Sequence, residues 1–337
     1  MTKKLSLLVL LLLLTTCAPT QTASATQTEK VETAATVYQP TFLPLVSSGE
    51  GGPTLNGCPL FPADNFWNTP IDHLPLHPQS DAWINNIGRG TGFHMDFGSG
   101  TWDGGPIGIP YNVLSGAAVT KYTVSFYYPT ESDPGPYPLP ANPLIEWGSD
   151  HHILTIDSDT CTLYEIYDAS FSGGQWSGGS GAIWDLNSNT LRPDGWTSAD
   201  AAGLPILPGL ARYDEIAAGE IRHALRFTAA QTAGYLWPAR HQTSDPQSGI
   251  PPMGARFRLK AGFDLSGYPA EMQVLLRAMQ SYGIVLADNG SDWYISGAPD
   301  ERWNNDMLHL LDALTGNDFE AVDTSALMVD PNSAQTR

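Results

Sequence analysis

The sequence predicts a β-rich α+β fold, a β-sandwich-like single domain with long loops and two or three peripheral helices. Three observations lead there. Charged residues are scarce at 15%, while 33 Gly and 27 Pro supply many turns and loops. Residues 151–168 read as two strands around a tight turn. Amphipathic helical spacing is confined to short segments near 80–87, 269–282 and 303–314.

Each element has a local reason. Trp83, Ile84 and Ile87 share a face of a helix over 80–87 that Gly88 ends. Residues 118–128 alternate apolar and polar side chains, as a strand does, before the turn-forming run Asp133-Pro134-Gly135-Pro136. In the hairpin, residues 151–157 run out, Ser158-Asp159-Thr160 turns, and 161–168 return. Period-2 alternation puts His152, Leu154 and Ile156 on one face of the first strand, and Leu163, Glu165 and Tyr167 on one face of the second. Residues 212–219 read as a short acidic helix, and 221–228 as a strand with His223, Leu225 and Phe227 on one side. Pro269 suits the first turn of the longest helix, whose stripe is Met272, Leu275, Leu276 and Met279. Residues 284–287 and 293–296 read as strands around the Asn289-Gly290 turn. The last helix spans 303–314.

The first 17 residues look like an export signal. Lys3 and Lys4 precede an apolar run from Leu5 to Leu14, too short to span a bilayer. Leu14-Thr15-Thr16-Cys17 resembles a bacterial lipobox, in which the cysteine is acylated; Thr16 stands where lipoboxes carry Gly, Ala or Ser. The alternative is ordinary cleavage near Ala18 or Ala23, giving a soluble secreted protein. Residues 18–56, rich in Thr, Ala, Ser, Gln and Gly, read as a disordered tether. A single domain is expected over 57–325, with a tail at 326–337. If Cys17 carries lipid, Cys58 and Cys161 remain as a pair, and an exported compartment permits their disulfide; two buried thiols are the other reading.

The formal charge is −19, and the signal holds two of the few lysines and no acid. A nucleic-acid partner needs a basic footprint and is not expected. Membrane contact is expected only through the N-terminal lipid, and the protein is expected to be a monomer.

Several stretches resemble an uncharacterised family of secreted bacterial proteins: Leu60-Phe61-Pro62-Ala63-Asp64-Asn65-Phe66-Trp67-Asn68, Ser149-Asp150-His151-His152, residues 219–227, and Trp237-Pro238-Ala239-Arg240-His241. The resemblance covers nearly all of 58–325 and implies an exported single domain. It brings no activity, cofactor or catalytic residue.

The candidate chemistry lies at strand ends and in Gly-rich loops, where β scaffolds carry their working groups. Asp150, His152, Glu165 and His223 are the candidate catalytic residues. His152 and His223 are read as acid/base groups, and Glu165 as a carboxylate partner or nucleophile. Arg240, His241 and Trp237 are the candidate substrate-binding residues, a guanidinium clamp beside a ring platform. The bland alternatives are a His152 bonded to a main-chain carbonyl, a core His223 and a cation–π corner at Arg240. His94 and Asp96 could both ligate a metal, but no third ligand stands near in sequence and no zinc, calcium, phosphate-loop or serine-elbow motif occurs. No cofactor is implied.

The first functional reading is an exported cell-envelope lipoprotein with carbohydrate-directed activity, as a glycoside hydrolase or polysaccharide lyase using His/carboxylate acid–base chemistry. The second is a non-catalytic surface lipoprotein that binds glycan or a protein partner. A third is a metal-dependent hydrolase built on His94 and Asp96. The first requires that the separated polar strand ends converge.

Overall fold

The computed structural model describes residues 51–337. The expected signal, Cys17 and most of the tether lie outside the described residues. Two sheets organise the domain. In chain order their strands are β1 (His94–Asp96), β2 (Tyr111–Leu114), β3 (Ile153–Asp157), β4 (Thr162–Tyr167), β5 (Ser180–Asp185), β6 (Leu225–Ala229), β7 (Arg256–Leu259), β8 (Ile284–Asn289), β9 (Tyr294–Ser296) and β10 (Phe319–Val322). The helices are α1 (Ser80–Ile87), α2 (Tyr213–Ala218), α3 (Ala270–Ser281) and α4 (Asn305–Leu308).

Strands β5-β4-β3-β2 form a four-stranded sheet, and β10-β7-β8-β6-β9-β1 a six-stranded mixed sheet. The β3–β4 hairpin forms as expected, and its register, with Leu154 opposite Glu165 and Ile156 opposite Leu163, is one residue off the 157–161 pairing that a three-residue turn would give. Strand β2 joins β3 in parallel. The strands on either side of Asn289-Gly290 do not pair with each other. Strand β6 lies between them, parallel to β8 and antiparallel to β9. A local turn signal therefore does not reveal this crossover, because β6 comes from about 55 residues upstream.

Three cores stack through these sheets. On one face of the six-stranded sheet, Leu225, Phe227, Ile284, Leu286 and Ile295 pack against α1 and α3. The other face carries Val285 and Ala287, which meet Leu154, Ile156, Leu163 and Trp184 of the four-stranded sheet. The outer face of that second sheet, with Ile153 and Ile166, packs against Val124, Tyr137 and Trp176. Burial on both faces explains why every residue of β3 is buried.

Helix α3 follows its spacing: Met272, Leu275, Leu276 and Met279 are buried and Pro269 occupies the N-cap. The helix expected over 303–314 is shorter. It is α-helical over 305–308 and continues as a 3-10 turn over His309–Ala313. The strand expected over 118–128 is two pieces, Thr120–Tyr122 and Val124–Phe126, in different small sheets.

Cys58 and Cys161 are joined by a disulfide that closes a span of 103 residues. Residues 326–337 are held down: the Phe66 N–H donates to Ala334 O, the Thr336 N–H to Asp64 O, and the Arg337 N–H to Leu327 O.

Candidate functional site

The polar cluster of the domain lies where the two sheets face each other. On the six-stranded sheet, β6 directs Leu225 and Phe227 into the helix-side core, so Arg226 points the other way. Its guanidinium donates from Nε to Asp200 Oδ2 and from Nη2 to Asp200 Oδ1, both at 2.7 Å. Nη2 also donates to Asp288 Oδ2 at 3.3 Å, and Nη1 to Ser296 Oγ. Asp200 and Arg226 are buried, while Asp288 at the end of β8 is 21% exposed. Because both carboxyls meet one Nη2, they are close neighbours, and one proton between them relieves their repulsion. Burial, followed by the Asp200 carboxylate, holds the Asp288 carboxyl well above the ordinary aspartate range.

From the four-stranded sheet, His152 enters the same space on the face it shares with Leu154. Its Nδ1–H donates to Glu146 Oε2 at 2.5 Å and its Nε2–H to Ala199 O at 3.0 Å. An acceptor at each nitrogen requires two N–H groups, which makes the ring an imidazolium. Burial of the ring lowers its pKa, but the Glu146 carboxylate outweighs that effect and the net value is pushed up to about 9. Glu146 is the mirror case. Burial alone raises its carboxyl, and His152 overcomes this to hold it below the ordinary glutamate range. The main-chain N–H of His152 also donates to Glu146 Oε2, so one residue orients the carboxylate twice.

Asp96 completes the cluster at the surface. It lies beside Ser296 in the parallel β1–β9 register. Surrounding protein pushes its carboxyl up, His94 opposes this, and the Glu146 charge adds to the rise. The groups thus run from Asp200, wholly withdrawn from water, through Arg226 and His152, to Glu146 and Asp288, which water reaches, and out to Asp96. Tyr167 flanks His152, with ring centroids 5.6 Å apart, and feels the charges of Asp150 and Asp288.

Of the sequence-predicted residues, His152 is in this cluster and Asp150 is at its margin. Asp150 is exposed, accepts from Ser149 Oγ, and acts on His152 only through its charge. Glu165 is on the face expected but is sealed. Its two oxygens accept the main-chain N–H groups of Ile206 and Leu207 and the Trp184 Nε1–H, at 2.9 to 3.2 Å. His223 is fully buried, with Nδ1 on Ala224 O and Nε2 on Glu215 of α2. That partner helix packs Ile216 into the core shared by Leu225 and Phe227, on the opposite side of the sheet from Arg226. His152 and His223 therefore do not converge, and the single cleft expected to hold both is not formed.

Arg240 is buried and donates to Arg192 O, Pro331 O and Asn332 Oδ1, tying the C-terminal segment to the domain. Trp237 packs edge-on to Phe66 and donates to Ser333 O. His241 bonds to Ala201 O. These three serve the protein's own structure, and a clamp at Arg240 is not present because its donors are taken by Arg192 O, Pro331 O and Asn332 Oδ1, with Asp194 at 3.5 Å.

His94 borders an open groove of about 660 Å³ with Tyr294, Asp292 and Asp312. Asp312 accepts from His309 at 3.0 Å and lies 4.0 Å from His94. Among the described residues, no three His, Cys, Asp or Glu side chains are grouped to hold a metal ion. His94 and Asp96 thus lack the third ligand that the metal reading needs.

Glu146, Asp200, Arg226 and Asp288 were not singled out as a site from the sequence. One signal existed. An arginine on the inward face of a β-strand, in a chain with only 16 basic residues, demands a buried carboxylate partner.

No family model, curated protein or solved structure matches this chain. Among the described residues, no helix is long and apolar enough to cross a membrane.

Proposed function

We propose that this chain is an exported cell-envelope protein that hydrolyses glycosidic bonds, with Asp288 as general acid and Glu146 as the carboxylate that assists water. The observation that carries the reading is a pair of partly exposed carboxyls on opposite kinds of partner, Asp288 beside the Asp200 carboxylate and Glu146 on the His152 ring, which shift them in opposite directions. Asp288 is bound to Arg226 Nη2 next to Asp200, and burial and the Asp200 charge hold its carboxyl well above the ordinary aspartate range. Glu146 is bound by His152 and is ionised. Glycoside hydrolysis needs this combination. Asp288 gives its proton to the leaving oxygen as the C–O bond breaks, and Glu146 takes a proton from the water that adds to the sugar carbon. Arg226 and His152 hold the two carboxyls in place and supply positive charge behind them.

Hydrolysis is favoured over β-elimination. A lyase acting on a uronate must neutralise the sugar carboxylate, and Arg226 and His152 are already engaged with protein carboxylates. The N-terminal signal pattern and the disulfide support an oxidising, extracytoplasmic location.

The test is release of reducing ends from a panel of polysaccharides by the purified protein. Release is expected, with a loss on the order of 10²-fold or more in D288N and in E146Q. Binding without release in the wild type would favour the glycan-binding reading, for which the exposed Trp102, Trp147 and Tyr127 provide surface.

A further inference from the structure

Trp147 directly follows Glu146, so its Cα lies about 3.8 Å from that of the carboxylate residue. Its side chain is 54% exposed, yet it is fixed. The indole rests on the backbone of Gly104 and Gly105. A Cβ at Gly105 would stand 2.0 Å from Trp147 Cγ and 2.2 Å from Cδ2, and one at Gly104 3.4 Å from Cζ2. The Nε1–H donates to Asp103 O at 3.0 Å. Two side-chain-free residues and one hydrogen bond thus seat a large apolar ring against the protein and leave its remaining surface to water. The uncovered part of the ring is available to the apolar face of a ligand.

The charge around the ring restricts what can cover it. Asp96, Asp103 and Asp150 are exposed, while the cations of the cluster, Arg226 and His152, are buried and paired. An anionic chain is repelled here, and a neutral or cationic one is not.

We propose that Trp147 is the stacking platform for one pyranose ring of a glycan chain without acidic groups, placing the neighbouring linkage beside Glu146 and Asp288. This deepens the hydrolase reading and rests on it for the linkage, though not for the stacking. A sugar ring offers an apolar C–H face to the indole, and the fixed ring loses little freedom on binding.

The experiment measures binding of three probes to the full-length protein by calorimetry: a xylo-oligosaccharide, a chitosan oligosaccharide and an oligogalacturonate. At least one of the first two is expected to bind the wild type, and the oligogalacturonate is not. W147A should weaken the binding at least about tenfold, and W147Y should keep most of it. G105V, which drives a side chain into the indole, should weaken binding while the tryptophan remains, and it decides the matter with W147Y if W147A does not fold. Equal binding by W147A or by G105V, tight binding of the oligogalacturonate, or no binding of either acid-free probe overturns the proposal. If W147A loses binding but D288N still cleaves at the wild-type rate, the platform stands and the acid–base assignment falls.

Discussion

Asp200 and Arg226 form a two-point ion pair at 2.7 Å per contact, closed off from water between the two sheets. Its net worth to stability is small, because burying two charges costs nearly what their attraction returns. Removing one partner is different, since a charge is then left in the interior. D200A is expected to cost about 3–5 kcal/mol in urea unfolding. Asp288, already 3.3 Å from Arg226 Nη2, is placed to take over part of the pairing, so the loss should lie near the lower figure. An unchanged unfolding midpoint would contradict the burial described for this pair.

The His152–Glu146 pair sets a pH window. His152 has a folded pKa near 9, above its ordinary 6.5, so its contribution is complete below 6.5 and is lost as the pH rises through about 9. Glu146 is shifted down from 4.5, so its contribution is complete above 4.5 and is lost as the pH falls through its lowered folded value. Together they stabilise most between about 4.5 and 6.5. H152Q should flatten the alkaline limb of a stability–pH profile, and NMR of the His152 ring should show it charged at neutral pH. A neutral ring at pH 7 would refute the pairing.

Glu165 is predicted to be structural. Burial pushes its carboxyl up to about 7 despite the main-chain donors of Leu207 and Ile206 that favour its ionised form. Its folded pKa lies above 4.5, so it contributes to stability below that value and loses the contribution as the pH rises through about 7. E165A leaves three buried N–H donors without an acceptor and should cost about 3 kcal/mol. Folded E165A should keep the turnover of the wild type; a selective loss of kcat in well-folded protein would return Glu165 to the site.

These residues show what a sequence makes legible. The β3–β4 hairpin, the face shared by His152 and Leu154, and the face shared by Glu165 and Tyr167 followed from period-2 alternation, whereas the register that brings the two sets together is set by a turn one residue longer than the three expected. The fate of Glu165 did not follow, because its partners at Ile206 and Leu207 are main-chain groups some 40 residues away, and backbone N–H groups leave no mark in a sequence. The same holds for His223, whose partner Glu215 lies on a helix with its own reason to be acidic. Asp200, Arg226 and Asp288 come from a loop and two strands, joined by a parallel crossover that no local signal specifies.

The disulfide provides the last prediction. Cys58 lies at the entry to the domain and Cys161 in the turn immediately before β4, so the bond fixes the N-terminal segment to the four-stranded sheet. Closing a span of 103 residues restricts the unfolded chain, an effect of about 4.7 kcal/mol by loop-closure entropy. C58S with C161S should lower unfolding stability by about that amount. Cys58 is buried among Leu55, Leu60 and Phe61, so the paired serines also place hydroxyls in an apolar setting. C58A with C161A separates the two effects: a loss that persists in the alanine pair belongs to the crosslink. If reductant leaves the midpoint of the native protein unchanged under conditions that free both thiols, the bond does not support this fold.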